Sequence, residues 1–314
     1  MTALSVYFLH RGGTPYSAFS QPTCSSENLL RSLHQIIPVT NHRRMNSRIR
    51  DLAADAHAQF ERYKGHDKVL SKSIPVLYFG DLEAYRTSDL NVITVGSTPS
   101  DYEFLSDDGE PAEDPYWRFS GIGPPGSYDH DEYRDALGSY FEEDTDSEDR
   151  TDYTDWFQQY QQVLNGLGAS YYDGAAHTAL HTDLHSPLST GEPWSKLDSR
   201  APKLKENLRA EGIPLWHRLV EALQPDVILA SVSKDHLKDI DFDRVGNEEV
   251  IALLHRRSNG EPRSDGLYDV TAQPIQVGGK RATLVHGTKN VKPFLIGEWQ
   301  ASGVGQAIRY YVGR

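Results

Sequence analysis

The stretch Leu90-Asn91-Val92-Ile93-Thr94-Val95-Gly96, followed at once by Ser97-Thr98-Pro99-Ser100-Asp101, sets the expected architecture. Its unbroken β-branched run suits a strand covered on both faces, the situation of a parallel sheet. Gly96 permits a tight turn or a close backbone approach to a ligand. Thr98 is placed to cap a following helix, with Pro99 at the first helical position, where a missing N–H costs nothing. Asp101, three residues beyond Thr98, completes a box-like cap. A strand that runs into a helix through such a turn sets small polar groups at the carboxyl edge of the sheet, where open α/β sheets bind ligands.

The rest of the chain extends this pattern. A short strand is expected at Ala179–Leu184, followed by a Pro/Ser-rich loop to Leu197. A helix from Pro214 to Leu223 leads into a strand at Asp226–Ala230; Ser233 then caps a short helix, and a last strand at Ala282–His286 stops at Gly287. Alternating apolar strands and helices predict an α/β fold, a central and mostly parallel sheet flanked by helices. Residues 1–80 read as a partly helical N-terminal extension and 81–314 as the α/β domain. In the extension, Asn41–Tyr63 is helical, with Met45, Ile49, Leu52 and Phe60 on an apolar stripe. His42, Arg43, Arg44, Arg48 and Arg50 precede or flank that stripe, as a solvated face or as a phosphate-contacting patch.

With 314 residues, 38% of them hydrophobic, and five Trp, 17 Tyr and ten Phe, the chain can build a substantial core. No apolar run is long enough to span a bilayer, and Val6-Tyr7-Phe8-Leu9 is too short, and lacks the basic lead-in, for a secretion signal. A single cysteine, Cys24, rules out an internal disulfide framework and a thiolate metal cluster. A cytoplasmic setting without a membrane partner is expected. The net charge of −13 is unevenly spread: residues 101–155 hold 19 Asp/Glu against three Lys/Arg, a local net of −16, which leaves the other 259 residues at +3. The acidity is therefore an insertion, and a local basic face for phosphate remains open. Within it, part of Ser106–Asp155 reads as a mobile loop, with Phe141–Asp155 the most disorder-prone tract.

Polar groups gather at the predicted strand ends. Thr98 and Asp101 follow the first, His181 and Asp183 lie on one face of the second, and His286 ends the last. The closely spaced Asp173, His177, His181, Asp183 and His185 raise the question of a metal, but residues alternating along a strand do not all converge; none is expected. The chain lacks a GxxxxGK[ST] loop and a nucleophile elbow.

In this order the motifs resemble those of the uracil-DNA glycosylase superfamily, from about Leu90 to the C-terminus. Gly96-Ser97-Thr98-Pro99 is similar to the family's Gly-x-(Asp/Asn)-Pro turn, which holds the catalytic water. Phe119-Ser120-Gly121 and Pro124-Pro125-Gly126-Ser127 are similar to its Phe-Ser segment and proline-rich loop. The strand at Leu180–Leu184 stands where an Asn reads the base edge, and Leu284-Val285-His286-Gly287 is similar to the last motif. Phe294-Leu295-Ile296-Gly297 is similar to the family's tail. The resemblance implies Phe119 stacked on an everted base, Pro124 and Pro125 pressed on the DNA backbone, and His286 facing a base carbonyl. It also implies phosphate contacts from Lys289, Lys292, Arg43 and Arg44, Asn290 or Val291 inserted into the duplex, and no metal or organic cofactor. Gly96 and Ser97 would border the base.

The departures carry chemical meaning. Thr98 stands where a carboxylate or carboxamide is usual, so Asp101 is the candidate to orient water or to stabilise positive charge on the sugar. The base-reading Asn is absent, and His181 or Asp183 occupies its neighbourhood. A carboxylate accepts from the N4 amino group of cytosine but is repelled by O4 of uracil. The expectation is thus a monofunctional glycosylase acting on a modified cytosine in DNA, as in phage-defence members that excise glucosylated hydroxymethylcytosine. The alternatives are a uracil or deaminated-base repair glycosylase, a non-catalytic nucleic-acid-binding module, and an acidic DNA mimic.

Overall fold

The computed structural model describes residues 37–106, 113–142, 154–254, 261–262, 268–287 and 298–313. Its first helix, α1 (Ile37–Tyr63), crosses the division between two compact units, 1–44 and 45–314. After it come α2 (Leu82–Thr87), β1 (Val92–Gly96), α3 (His130–Gly138) and α4 (Thr154–Leu167). β2 (Ala169–Ser170) and β3 (His177–Asp183) lead to α5 (Leu197–Arg200), α6 (Pro202–Leu223) and β4 (Val227–Ala230). The second half adds β5 (Asp243–Arg244), β6 (Glu249–Leu254), β7 (Tyr268–Val277), β8 (Lys280–Gly287) and α7 (Glu298–Val312).

One sheet runs in the order β2-β3-β1-β4-β8-β7-β5, with β6 also on β7. From β2 to β8 the pairs are parallel; β7 is antiparallel to β8, and β5 and β6 are antiparallel to β7. The fold is α/β with a mostly parallel, mixed sheet flanked by helices. Every residue of β1 is buried, as its aliphatic run requires. The β7–β8 hairpin turns at Gly278 and Gly279, whose φ of +51° and +95° suit a two-residue turn that L side chains resist. No helix among the described residues is long and apolar enough to cross a membrane.

Several boundaries differ from the sequence expectation for physical reasons. Part of the segment read as an extension packs with the α/β domain. Ile49, Leu52, Val76 and Phe79 sit in the same core as the sheet, and Phe79 exchanges backbone hydrogen bonds with His181 at 2.9 and 3.1 Å. Within the acidic insertion, Phe104, Tyr116, Phe119, Tyr133 and Tyr140 are buried in the core, and Asp129 closes a full capping box on α3. Most of 141–155 lies outside the described residues. α6 begins twelve residues before Pro214 and carries that proline in its interior. Its buried Leu204, Leu208, Leu215, Trp216 and Leu219 outweigh the hydrogen bond the proline removes. Thr98 does not cap a helix: Ser100 caps a single 3-10 turn at Asp101–Glu103, its Oγ accepting from the Tyr102 N–H at 3.2 Å.

The order of the parallel strands makes the site. From β1 the chain moves to β3 on one side and then crosses to β4 on the other. It therefore reverses at β1, the place where open sheets form a crevice. α4 covers the face carrying His181, through Phe157 and Tyr160. α6 covers the opposite face, where the Trp216 indole donates to Thr182 Oγ1 at 3.1 Å.

Candidate functional site

A cleft of about 470 Å³ opens at the carboxyl ends of β3, β1 and β4. The strand register explains its floor. Gly96 pairs with Asp183, and the Ser231 N–H donates to Val95 O at 3.0 Å, so Asp183, Gly96 and Ser231 form a row across three strands. The central position of the row has no side chain. A Cβ on Gly96 would come within 2.6 Å of Asp183 Oδ1 and 3.0 Å of His181 Nε2. The absence of a side chain at Gly96 thus lets the Asp183 carboxylate and the His181 ring lean over β1.

His181 is held from behind. Its Nδ1 lies 2.7 Å from Thr94 Oγ1, which lies 2.6 Å from the Tyr171 hydroxyl. A consistent donor order runs from Tyr171 O–H to Thr94 and from Thr94 O–H to His181 Nδ1. It leaves the His181 Nε2–H facing Asp183 Oδ1 at 3.7 Å. The other carboxylate oxygen, Asp183 Oδ2, is buried without a hydrogen-bond partner. Such an acceptor is expensive to leave unmade, on the order of 1–3 kcal/mol or more for a charge, and ligand sites are where that expense recurs.

The mouth is formed by the loop after β1. Asp101 lines it, its Oδ1 accepting from Ser100 Oγ at 3.3 Å and the Tyr102 N–H at 3.2 Å, long contacts that leave it half-exposed. Glu103, also in the lining, is buried and accepts a hydrogen bond from the Tyr140 hydroxyl. Phe79, Trp156, Phe157 and Trp194 supply apolar and aromatic walls.

Trp194 is fixed by its own cluster. It stacks on His185 with centroids 4.9 Å apart and planes 9° from parallel, and the Lys205 ammonium lies 5.0 Å over its ring. His185 Nε2 is 3.3 Å from Asp239 Oδ2, and Arg209 pairs with the same carboxylate through Nε at 3.2 Å and through Nη2. Burial, reinforced by the neighbouring His236, pushes His185 down to about 3, so the ring is neutral. Burial alone would raise the Asp239 carboxyl, but the Arg209 and His185 contacts hold it below its ordinary value. His236 meets His185 edge-on at 4.3 Å and is shared by the cleft and a second cavity of about 340 Å³ containing Lys205, Arg209 and Lys238. Burial lowers the pKa of His236 as well.

Of the residues singled out from sequence, Gly96, Ser97, Thr98, Asp101, His181 and Asp183 are brought together in this cleft. Others are placed elsewhere. Phe119 is a core residue, 1% exposed and stacked on Phe104 with centroids 5.5 Å apart. Pro124 and Pro125 form a surface turn closed by Ser127, whose N–H and Oγ both donate to Pro124 O, at 3.0 and 2.7 Å. His286 stands on the wrong face. Leu229 pairs with Val285, so His286 shares the side of Ala230, Val95 and Thr182, opposite to His181 and Asp183. There it meets Thr271 Oγ1 at 3.1 Å and Glu248 Oε2 at 3.2 Å. Lys289, Asn290, Val291 and Lys292 lie outside the described residues, as do the side chains of Arg43 and Arg44; Arg48 and Arg50 are exposed on α1. Among the described residues no group of three or more His, Cys, Asp or Glu is arranged to hold a metal.

Sequence reading did not find Trp194, Phe157, Ser231 or His236. The only available signal was the Ser231-Val232-Ser233 run directly after β4, the same kind of polar ending that drew attention to β1. Comparison of the chain with known protein families, curated proteins and solved structures finds no match.

Proposed function

We propose that this chain is a monofunctional DNA glycosylase that hydrolyses the N-glycosidic bond of an everted, modified cytosine. The observation that carries the reading is the convergence of Asp101 and Asp183 on one aromatic-walled cleft at the reversal point of the sheet. Asp183 Oδ2, buried and unpartnered, accepts from the exocyclic amino group of the base. Asp101, at the half-exposed mouth, orients the attacking water or stabilises the positive charge that develops on the deoxyribose. The aromatic walls hold the base out of its stack, each such contact worth on the order of 1–3 kcal/mol. A volume of about 470 Å³ is of small-molecule-site size and leaves space beside a pyrimidine ring for a bulky substituent. A cell survives such an enzyme only if its own DNA lacks the modification, which favours foreign, modified DNA as the substrate.

The test is base release from duplexes carrying cytosine, hydroxymethylcytosine, glucosylated hydroxymethylcytosine or uracil, read as alkali-labile sites. Sites on a modified cytosine alone support the proposal. Cleavage of the uracil duplex alone assigns the cleft to repair of deaminated bases. Intact duplexes throughout, at high protein concentration, reject the glycosylase reading.

A further inference from the structure

The floor of the cleft contains more unanswered polar atoms than Asp183 alone. Ser231 Oγ at the end of β4 and the Tyr160 hydroxyl on α4 are also buried without a hydrogen-bond partner. Tyr160 is 0% and Ser231 5% exposed. The Tyr160 hydroxyl faces that of Ser231 and feels the Asp183 carboxylate. β3 and β4 thus bring one acceptor and one hydroxyl into the cleft lining on either side of Gly96, with Tyr160 fully buried behind them.

We infer that Ser231 completes an edge-reading floor with Asp183, and that its ligand is an amidine-type edge: an exocyclic amino group beside an unprotonated ring nitrogen. The amino group donates to Asp183 Oδ2, and the ring nitrogen or an adjoining carbonyl accepts from the Ser231 hydroxyl, which the Tyr160 hydroxyl behind it positions by donating to Oγ. Gly96, with no Cβ, lets the Asp183 carboxylate lean across β1 toward Ser231. Burial raises the Tyr160 phenol above its ordinary value, so it remains a protonated donor at any physiological pH. The imide edge of uracil is the mismatch: its carbonyl oxygen meets the carboxylate, and its N3–H faces a hydroxyl already committed to donating. Cytosines satisfy the floor and so does the amino edge of adenine, while Trp194 and Phe157 bound the space for the remainder of the base. This deepens the glycosylase reading, and it names a specificity residue, Ser231, and a positioning residue, Tyr160, that the sequence motifs do not contain.

Two readouts on the full chain test it. The first is calorimetric binding of free cytosine, 5-hydroxymethylcytosine, adenine and uracil to the wild type and to Ser231→Ala and Tyr160→Phe. The second is the melting temperature of the same proteins without ligand. Amino-bearing bases are expected to bind at least tenfold more tightly than uracil, and each variant to lose at least tenfold of that binding. The ligand-free variants should melt no lower than the wild type, because each has shed an unpartnered buried hydroxyl. Absence of binding by all four bases, binding that is unchanged in both variants, or a lower melting temperature in both with binding intact overturns the inference. Base binding does not require bond cleavage. A protein that binds cytosine in this pattern but makes no abasic sites therefore retains the floor and loses the glycosylase reading; one that makes abasic sites unaffected by either substitution does the reverse.

Discussion

Acidification from pH 7 to pH 5 should destabilise this protein through His185, and the size of the effect follows from its surroundings. The ring is fully buried, stacked on Trp194 and edge-on to His236, and it faces Asp239 and, through it, Arg209. Its pKa falls from 6.5 to about 3 on folding. The sign follows from which state binds the proton. Below pH 6.5 the unfolded chain takes up a proton that the folded chain refuses, so stability is intact above that value and is lost as pH falls toward 3. The slope approaches 1.36 kcal/mol per pH unit. Integrated over the two states, the loss is about 2 kcal/mol between pH 7 and pH 5 and about 4 kcal/mol by pH 3. His57, His130 and His236 are also lowered and contribute with the same sign. The Asp239 carboxyl is lowered too, but its contribution is lost only below the ordinary carboxylate value, outside this window. A His185→Gln variant separates the terms, because it keeps an N–H toward Asp239 and cannot be protonated. Urea unfolding at pH 7, 6 and 5, followed by tryptophan fluorescence, should show the wild type losing about 2 kcal/mol more than the variant over that interval. Parallel curves for the two proteins would refute the placement of a neutral, buried His185 behind the cleft wall.

Gly305→Ala should cost about 3 kcal/mol or more, since the added Cβ would meet Val163 O at 2.0 Å and Gly166 Cα at 2.8 Å where α7 crosses α4; an unchanged urea midpoint would show that these helices do not meet there. Gly96→Ala sets a Cβ 2.6 Å from Asp183 Oδ1 and 3.0 Å from His181 Nε2, so both side chains must shift. Base binding should fall at least tenfold, with a stability loss of about 1–3 kcal/mol, and binding that survives intact would place the ligand elsewhere. His286→Ala should leave base release within about twofold of wild type, because the ring faces Thr271 and Glu248 on the opposite side of the sheet; a hundredfold loss, the scale of a missing oxyanion donor, would put His286 in the reaction after all.

The parts of this fold that local chemistry dictates were legible in the sequence. The run Val92–Val95 is aliphatic without interruption except for Thr94, and it forms the buried strand at the centre of the sheet. His181 and Asp183 alternate in phase and share a face, as a two-residue period demands. Other elements were obscured by a single residue. Pro274 in the middle of β7 argues against a strand, and Pro214 argues for a helix start rather than a helix interior. Ser100 and Thr98 are both able caps, and only the path of the backbone selects Ser100.

The site was harder, because its membership depends on pairing between distant segments. His286 ends a strand at the proper edge, but its face is set by the register of β8 against β4, and one residue of slip would invert it. Nothing local distinguishes Phe119, locked in the core by Phe79, Phe104 and Tyr140, from an aromatic free to stack on a base. Trp194 opens a single 3-10 turn, Trp194–Lys196, with no sequence pattern of its own, and it becomes a wall only because His185 and Lys205 hold it. His185 entered the sequence reading as one of five metal-type residues, whereas its partner in space is Asp239, 54 positions away.

The most direct test of the cleft as a base-excision site is abasic-site formation by the wild type and Asp183→Asn on paired duplexes, one carrying modified cytosine and one carrying uracil. Asp183 accepts one charge-assisted hydrogen bond in this account, worth about 1.5–3 kcal/mol, or roughly ten- to a hundredfold in rate. The wild type should open the modified-cytosine duplex. Asp183→Asn should lose that activity by this factor and gain on uracil, whose O4 an amide can satisfy. Identical base preference in the two proteins, or no abasic sites from either, would contradict the account.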